Sequence, residues 1–347
     1  SGIQEQTYFL HSNGVVDTLI PNSVEAPLSY NHNPDNPVIT VGGGNLSVPT
    51  PQFDRVSAGP MNYADPNFAP YTMDRPDVLQ FETDFIEDSL TIIGIPKAKI
   101  YAQTTPNGTN SGLTDTDFFV RIIDVYPDGR EYFVVEGAIN ARARDYAKSL
   151  VNNNENINLP FTNINIGQVY EYEFNLLPIA YSFGHQHKMK VLISSSNWPR
   201  YQSNPNIPIE NGAFFRREPN DGKTYLFNQT TYTPRIAEQE ISFSPSEPSQ
   251  IILPVRKNNF VSSAIVNNTS QFNTYPNPTK EGFYIDNNKS NSIYSYTLTN
   301  LMNQIVKKES NLKGVSYVDL VPLPSSVYLL SISNSNGIVS TTKIVKQ

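Results

Sequence analysis

Four histidines occur, at positions 11, 32, 185 and 187, and only Gly184-His185-Gln186-His187 brings two of them close in sequence. On a strand, residues i and i+2 share a face, so His185 and His187 could grip one metal ion through their ring nitrogens. No third ligand stands nearby, and the alternative is a turn leading into a strand with one imidazole hydrogen-bonded. Thr114-Asp115-Thr116-Asp117 gathers the oxygens that hard cations such as Ca²⁺ take. That run lacks the spacing of a dedicated chelating loop, and the alternative is a turn capped by aspartate before a strand. Arg142 and Arg144, in Ala-Arg-Ala-Arg-Asp, form a small basic patch whose plainer role is to hold carboxylates at a domain edge. Trp198, Tyr201 and Tyr225 could stack on sugar rings, with core and loop anchoring as the alternative. Nucleophilic chemistry finds less support. The chain has no Cys, no Gly-x-Ser-x-Gly, no Gly-rich phosphate loop and no His-Glu-x-x-His. A complete active site is therefore not expected in this chain, and no catalytic residue, metal or cofactor is assigned. Nucleophilic hydrolysis by this chain alone is not expected.

The elements that would carry these residues are strands. The 347 residues suggest about two domains. Charged residues are only 16%, against 20 Tyr and 18 Phe, which is too apolar and aromatic for a disordered chain. The net charge of −7 argues against a nucleic-acid partner, which needs a basic face. No apolar run is long enough for a transmembrane helix, and the Ser-Gly start shows no signal peptide. Period-2 patterning recurs and helical periodicity is nearly absent, which predicts an all-β chain. Val169 to Leu176 alternates Tyr170, Tyr172, Phe174 and Leu176 with mostly polar residues and predicts a half-buried strand. Ser89 to Thr104 reads as one strand, with Pro96 at an edge or bulge. Asp117 to Tyr126 is apolar on both faces and predicts a central strand. Tyr126-Pro127-Asp128-Gly129 predicts a turn, and Glu131 to Ala138 pairs back as a hairpin. Lys188 to Ser194 and Gln250 to Val255 are further strands. Such a series of short strands with Pro-rich turns predicts a sandwich or barrel.

Residues 1–75 are rich in Pro, Gly and Asn and predict a strand near Thr7 to His11 followed by a long extended arm. Residues 257–274 read as a linker. Strand candidates then restart at Gly282 to Asp286, Ile293 to Asn300, Gln304 to Glu309, Val315 to Leu320, Val327 to Ser333 and Ile338 to Val345, a small Ig-like β-sandwich.

Two resemblances follow from ordered motifs. The series Arg75-Pro76-Asp77, Thr116-Asp117-Phe118, Asp124-Val125-Tyr126-Pro127-Asp128-Gly129-Arg130, Arg142-Ala143-Arg144, Gly184-His185 and Ser194-Ser195-Ser196-Asn197-Trp198-Pro199-Arg200-Tyr201 resembles the C-terminal jelly-roll domain of the X-Pro dipeptidyl-peptidase, cocaine-esterase and α-amino-acid ester hydrolase family. Upstream, Asp35-Asn36-Pro37-Val38, Gly42-Gly43 and Ala58-Gly59-Pro60 resemble the segment joining the hydrolase domain to the jelly roll. The resemblance covers about residues 7–256 and implies a jelly-roll β-sandwich over 76–256, with 1–75 belonging to the joining segment. It places the catalytic Ser, Asp and His in an α/β-hydrolase domain ahead of this region, and gives His185 a structural role. The implied chain is the non-catalytic part of an exported serine hydrolase, peptidase or ester hydrolase. A stand-alone cell-surface binding module for glycan or protein is the other reading, since fold does not fix function.

Residues 273–347 resemble the type A C-terminal sorting domain of the type 9 secretion system. The residues that carry this are Pro276, Asn277, Pro278, Gly282, Leu323, Tyr328, Lys343, Val345 and Lys346. Ser326 stands where that family usually has Gly. The resemblance implies the secretion translocon and its outer-membrane β-barrel shuttle protein as partners, with delivery through the periplasm and outer membrane to the cell surface or medium. The final strand is expected to offer free backbone groups and a basic tip, so that deleting Lys343 to Gln347 would block export without unfolding the domain. Asp17-Thr18-Leu19 and Asp88-Ser89-Leu90 resemble the O-glycosylation pattern of bacteria with this system, making Thr18 and Ser89 candidates.

Overall fold

The computed structural model describes residues 2–40, 62–210, 217–256, 272–287, 292–300, 304–334 and 337–347. The chain divides into two compact units, Ser1–Lys257 and Asn258–Gln347. The glycines of Gly42-Gly43-Gly44, the Ala58-Gly59-Pro60 motif and most of the expected linker lie outside the described residues.

Unit 1 is a β-sandwich, as the all-β reading expects. Its larger sheet has the path Ile179–Phe183, Leu90–Gly94, Gln250–Arg256, Lys97–Pro106, Ala237–Ile241 and Leu28–His32. Ile3–Leu10 pairs with Gln250–Arg256, and Tyr170–Asn175 pairs with Lys97–Pro106. The smaller sheet orders Leu79–Glu82, Lys188–Ser194, Asp117–Val125 and Glu131–Asn140. Phe118, Val120 and Ile122 of one sheet share a core with Ile92, Ile100 and Phe174 of the other. Phe118 and Tyr172 meet across it with ring centroids 4.9 Å apart. Full burial of such side chains contributes roughly 1.5–3 kcal/mol each.

Asp117–Val125 is buried along both faces, as its apolar run predicts, and Lys188–Ser194 spans the expected residues. The turn at Tyr126-Pro127-Asp128-Gly129 closes through Gly129 N–H to Tyr126 O at 2.9 Å, with Gly129 at φ +83° where only glycine is unstrained.

Three features differ from the sequence reading. The single strand expected over Ser89 to Thr104 is two, Leu90–Gly94 and Lys97–Pro106, broken where Gly94 takes φ +133° and Pro96 can donate no hydrogen bond. Ile3–Leu10 overlaps the strand expected near Thr7 to His11, but the arm expected after it is not wholly extended, since Leu28–His32 pairs into the same sheet. A short helix, Arg144–Val151, packs Ala147 against the core and lays the Arg144 guanidinium over the Tyr170 ring at 4.7 Å.

Unit 2 is a smaller sandwich. Three strands, Asn273–Tyr275, Gly282–Asp286 and Val315–Asp319, form one sheet. Ile305–Leu312, Tyr294–Thr299, Ser326–Asn334 and Gly337–Lys346 form the other. Phe283, Ile285 and Val318 meet Tyr296, Leu298, Tyr328, Leu330 and Ile344 in the core. Ser326 opens its strand without a positive φ, so no glycine is required there.

Candidate functional site

The acidic run of unit 1 ends in a sealed polar seam. Asp115 is fully buried, and it leads into the central strand that Asp117 opens. The Asn140 amide donates 2.8 Å hydrogen bonds to both carboxylates. The Asn204 amide does the same at 2.9 and 3.0 Å. Arg142 Nε approaches Asp115 Oδ2 at 3.3 Å. Asp115 Oδ2 and Asp117 Oδ1 therefore already accept amide and guanidinium N–H groups, whereas Asp115 Oδ1 is buried without a hydrogen-bond partner. Burial, and then the charge of Asp115, push the Asp117 carboxyl up to about 7. Burial also raises Asp115. The arrangement ties the start of the central strand to the 204–206 loop, where Asn206 in turn accepts from Thr116 Oγ1 at 3.1 Å. The bridging role of Asn140 and Asn204 was not legible in the sequence, because nothing local marks an amide as a bridge between carboxylates.

The histidine pair lies in a turn before Lys188–Ser194 and not on the strand itself, which removes the shared face. His185 Nδ1 is hydrogen-bonded to Glu87 O, whereas His187 Nδ1 lies 2.8 Å from buried Asp124 Oδ1. The two rings thus serve different partners. Arg142 holds a carboxylate, as its plainer reading has it. Arg144 instead donates to Thr162 O and Oγ1, each at 2.8 Å.

The three aromatic candidates do not converge. Tyr201 sits edge-on to Phe119, with centroids 5.0 Å apart, and Tyr225 opens a short strand. Trp198 lines a cleft of about 420 Å³ with Tyr71, Arg75, Asn36 and Glu218. Arg75 is held there by a paired contact to Asp77 at 2.7 and 2.8 Å. Thr18 and Ser89 are both exposed and both lie outside regular structure.

In unit 2 the expected signal residues assemble around the last strand. Asn277 imitates a strand backbone, its Nδ2 donating to Lys343 O at 2.6 Å and its Oδ1 accepting from Val345 N–H at 2.9 Å. Thr279 N–H donates to Val345 O, and Gln347 N–H donates to Thr279 O, both at 2.8 Å. The outward backbone groups from Lys343 O to Gln347 N–H are therefore taken. This corrects the expectation of a free edge: the Pro276-Asn277-Pro278-Thr279 turn covers it, as sheet edges commonly are. Lys346 is not a free basic tip either. Its ammonium donates to Val321 O at 3.3 Å and to Leu323 O. Tyr328 OH donates to Pro324 O at 2.7 Å and fixes the same loop. Lys343 and Gln347 stay exposed, while Ile344 is fully buried, so deleting Lys343 to Gln347 removes core as well as the expected signal residues. Sequence reading passed over Thr279 as a motif neighbour. It is buried, and its hydroxyl bonds both N–H and O of Gly282.

Gly282 has a steric reason. A Cβ there would stand 2.4 Å from Val318 O and 2.5 Å from Tyr317 Oη. Gly282→Ala is expected to lower the stability of unit 2 by about 2–3 kcal/mol through this overpacking. Thermal unfolding followed by far-UV circular dichroism checks it, and an unchanged transition would refute the contact.

Comparison with known proteins agrees with this division. Residues 7–252 match the family described as the X-Pro dipeptidyl-peptidase C-terminal non-catalytic domain. Residues 273–347 match the secretion system C-terminal sorting domain. A cocaine esterase from Rhodococcus sp. (strain MB1 Bresler) is 29% identical over 244 residues, covering 70% of this chain and 34% of that protein. An aminopeptidase from a marine sediment archaeon, Thaumarchaeota archaeon, superposes with a TM-score of 0.54 at 20% identity, over 73% of this chain and 37% of its own. An α-amino acid ester hydrolase gives 0.51 at 24% identity, over 73% and 36%. The chain spans about a third of the length of each of these relatives. With a match across most of its length and a second domain matched behind it, the chain belongs to the X-Pro dipeptidyl-peptidase C-terminal non-catalytic domain family and carries a type 9 secretion sorting domain at its end.

Proposed function

We propose that this chain is the non-catalytic C-terminal part of an exported serine hydrolase, a peptidase or ester hydrolase, and that its last unit directs passage across the outer membrane by type 9 secretion. The observation that carries the reading is the succession of the two matched domains, 7–252 and then 273–347. The relatives are named as an esterase, an aminopeptidase and an ester hydrolase, and this chain corresponds to about a third of each. On this reading the catalytic Ser, Asp and His belong to an α/β-hydrolase domain against which unit 1 packs. The sorting unit engages the secretion translocon and its β-barrel shuttle, and the product reaches the cell surface or medium. Thr18 and Ser89 offer accessible hydroxyls for O-glycosylation on that route. Immunoprecipitation from the native cell with an antibody against unit 1 tests the hydrolase half. The expected product runs well above 38.8 kDa and labels with a serine-directed fluorophosphonate. An unlabelled 38.8 kDa product would contradict it and favour a stand-alone surface binding module.

A further inference from the structure

A segment near the start of unit 1 hangs on one imidazole. His11 follows Ile3–Leu10, and residues 18–26 form an irregular excursion between Val16–Asp17 and Leu28–His32. Most of the excursion is exposed, with Leu19 at 70%, Ile20 at 55% and Val24 at 81%, and Pro21 is its one buried residue. Among the described residues, every hydrogen bond of 18–26 runs to His11, Ser12 or Asp17. His11 Nδ1 lies 2.7 Å from Glu25 Oε1. His11 Nε2 lies 3.2 Å from Leu19 O and 3.4 Å from Asp17 Oδ1. Glu25 Oε2 accepts Ser12 N–H at 2.6 Å, and Asp17 Oδ1 accepts Leu19 N–H at 2.7 Å.

Both ring nitrogens of His11 thus face acceptors, and neither faces a donor. A neutral imidazole has one N–H and can serve only one side. Its bare nitrogen would turn a lone pair toward either the Glu25 carboxylate or Leu19 O. Only the imidazolium satisfies both at once, and its charge strengthens each bond. Asp17 and Glu25 are the carboxylates that meet the ring. Glu82 of the adjoining strand, which bridges to Val15, is engaged instead by Lys188 and Lys190 at 3.1 and 3.2 Å. Burial works against the charge on His11. The hydrogen bond and charge of Glu25, with the charge of Asp17, outweigh it and hold the imidazole above its ordinary value. Burial works against the Glu25 charge too, and His11 together with the Ser12 N–H brings that carboxyl below its ordinary value.

We infer that His11 is a proton-operated latch on residues 18–26. With the ring charged, Leu19 and Glu25 are both pinned to the end of the first strand; with the ring neutral, one of them lets go. The His11 contribution is whole below about pH 6.5, where the unfolded imidazole is charged as well, and is lost as pH rises through the higher folded value. The Glu25 contribution is lost on the other side, as pH falls through its lowered value. The freed stretch carries Thr18 and three exposed aliphatic side chains. Proton loss therefore opens it to any enzyme that needs an extended substrate. The latch is independent of the export route.

Thermolysin cuts ahead of large aliphatic residues, so cleavage at Thr18–Leu19 reports release. The full chain is digested at about pH 6 and about pH 9, and each rate is divided by that for an unstructured peptide of the same residues. The corrected rate is expected to rise about tenfold, the effect of losing one charge-assisted hydrogen bond. His11→Gln has no charge to lose and should be cut at the fast rate at both pH values. Asp117 is intact in that variant, so any loosening of unit 1 as a whole is common to both proteins. Equal corrected rates for the wild type, the same rise in His11→Gln, or no cut in the segment at either pH would overturn the inference. If His11→Gln unfolds, the imidazole nitrogen NMR shifts of the wild type decide. Both ring nitrogens of His11 should carry hydrogen at about pH 7, and a ring already neutral there would overturn it.

Discussion

Replacing Asn277 by Ala together with Thr279 by Val is expected to detach the closing strand of unit 2 and lower that unit's stability by about 3–5 kcal/mol. Asn277 contributes two hydrogen bonds to Lys343 and Val345, each of about 1 kcal/mol net. Thr279 Oγ1 satisfies the N–H of buried Gly282, and a valine there leaves that donor buried and unpaired, at a cost of about 1–3 kcal/mol. The single Trp, Trp198, lies in unit 1, so its fluorescence reports that unit alone. Chemical unfolding should leave the Trp198 transition in place while the far-UV circular dichroism gains an earlier step. Coincident, unshifted transitions would show that the turn does not hold the strand.

The carboxylate pair of buried Asp115 and part-buried Asp117 should make unit 1 lose stability as pH rises. The folded Asp117 carboxyl sits near 7, raised by burial and then by Asp115, whereas the unfolded group titrates near the ordinary value of about 3.9. Folding therefore holds a proton that the unfolded chain releases. The stabilisation is fully present below about pH 4 and is lost as pH rises through about 7. From about 3.9 to about 7, at about 1.4 kcal/mol per pH unit, the loss is on the order of 4 kcal/mol. Asp117→Asn imitates the protonated form and keeps an acceptor for Asn140 and Asn204, so it should be the more stable protein at about pH 8 and show a flatter profile. His32 works in the opposite direction. Burial lowers its imidazole to about 4, so protonation of the unfolded chain costs unit 1 stability on the acid side. The informative quantity is thus the difference between wild type and variant, read from the Trp198 midpoint between about pH 5 and pH 8. Parallel profiles would mean that Asp117 is already ionised in the folded protein.

Much of the fold is legible because strand alternation is a local signal. Lys188–Ser194 and Gly282–Asp286 match the runs read from pattern alone. The Arg144–Val151 helix escaped because its eight residues are mostly polar and only Ala147 and Val151 face inward, too few to show a stripe. The break between Leu90–Gly94 and Lys97–Pro106 was signalled by Gly94 and Pro96, but an apolar run on both sides outweighed them. Long-range chemistry was less legible. Asn277 reads as a turn residue, and only the fold places its amide against a strand 66 residues away. Likewise, the aspartates of residues 115 and 117 could be seen as an oxygen cluster. That they accept from side-chain amides depends on Asn140 and Asn204, which arrive from other parts of the chain.

Export is the claim on which the account most depends, and one fractionation tests it. The full chain, led by a Sec signal, is expressed in a bacterium with a type 9 system and in the same strain lacking the translocon. Surface, medium and periplasm are then probed separately. The account predicts delivery to the surface or medium in the first strain and a folded, protease-resistant pool in the periplasm of the second. The Asn277→Ala/Thr279→Val variant should stay in the periplasm of both. The same distribution of the wild-type chain in the two strains would contradict it.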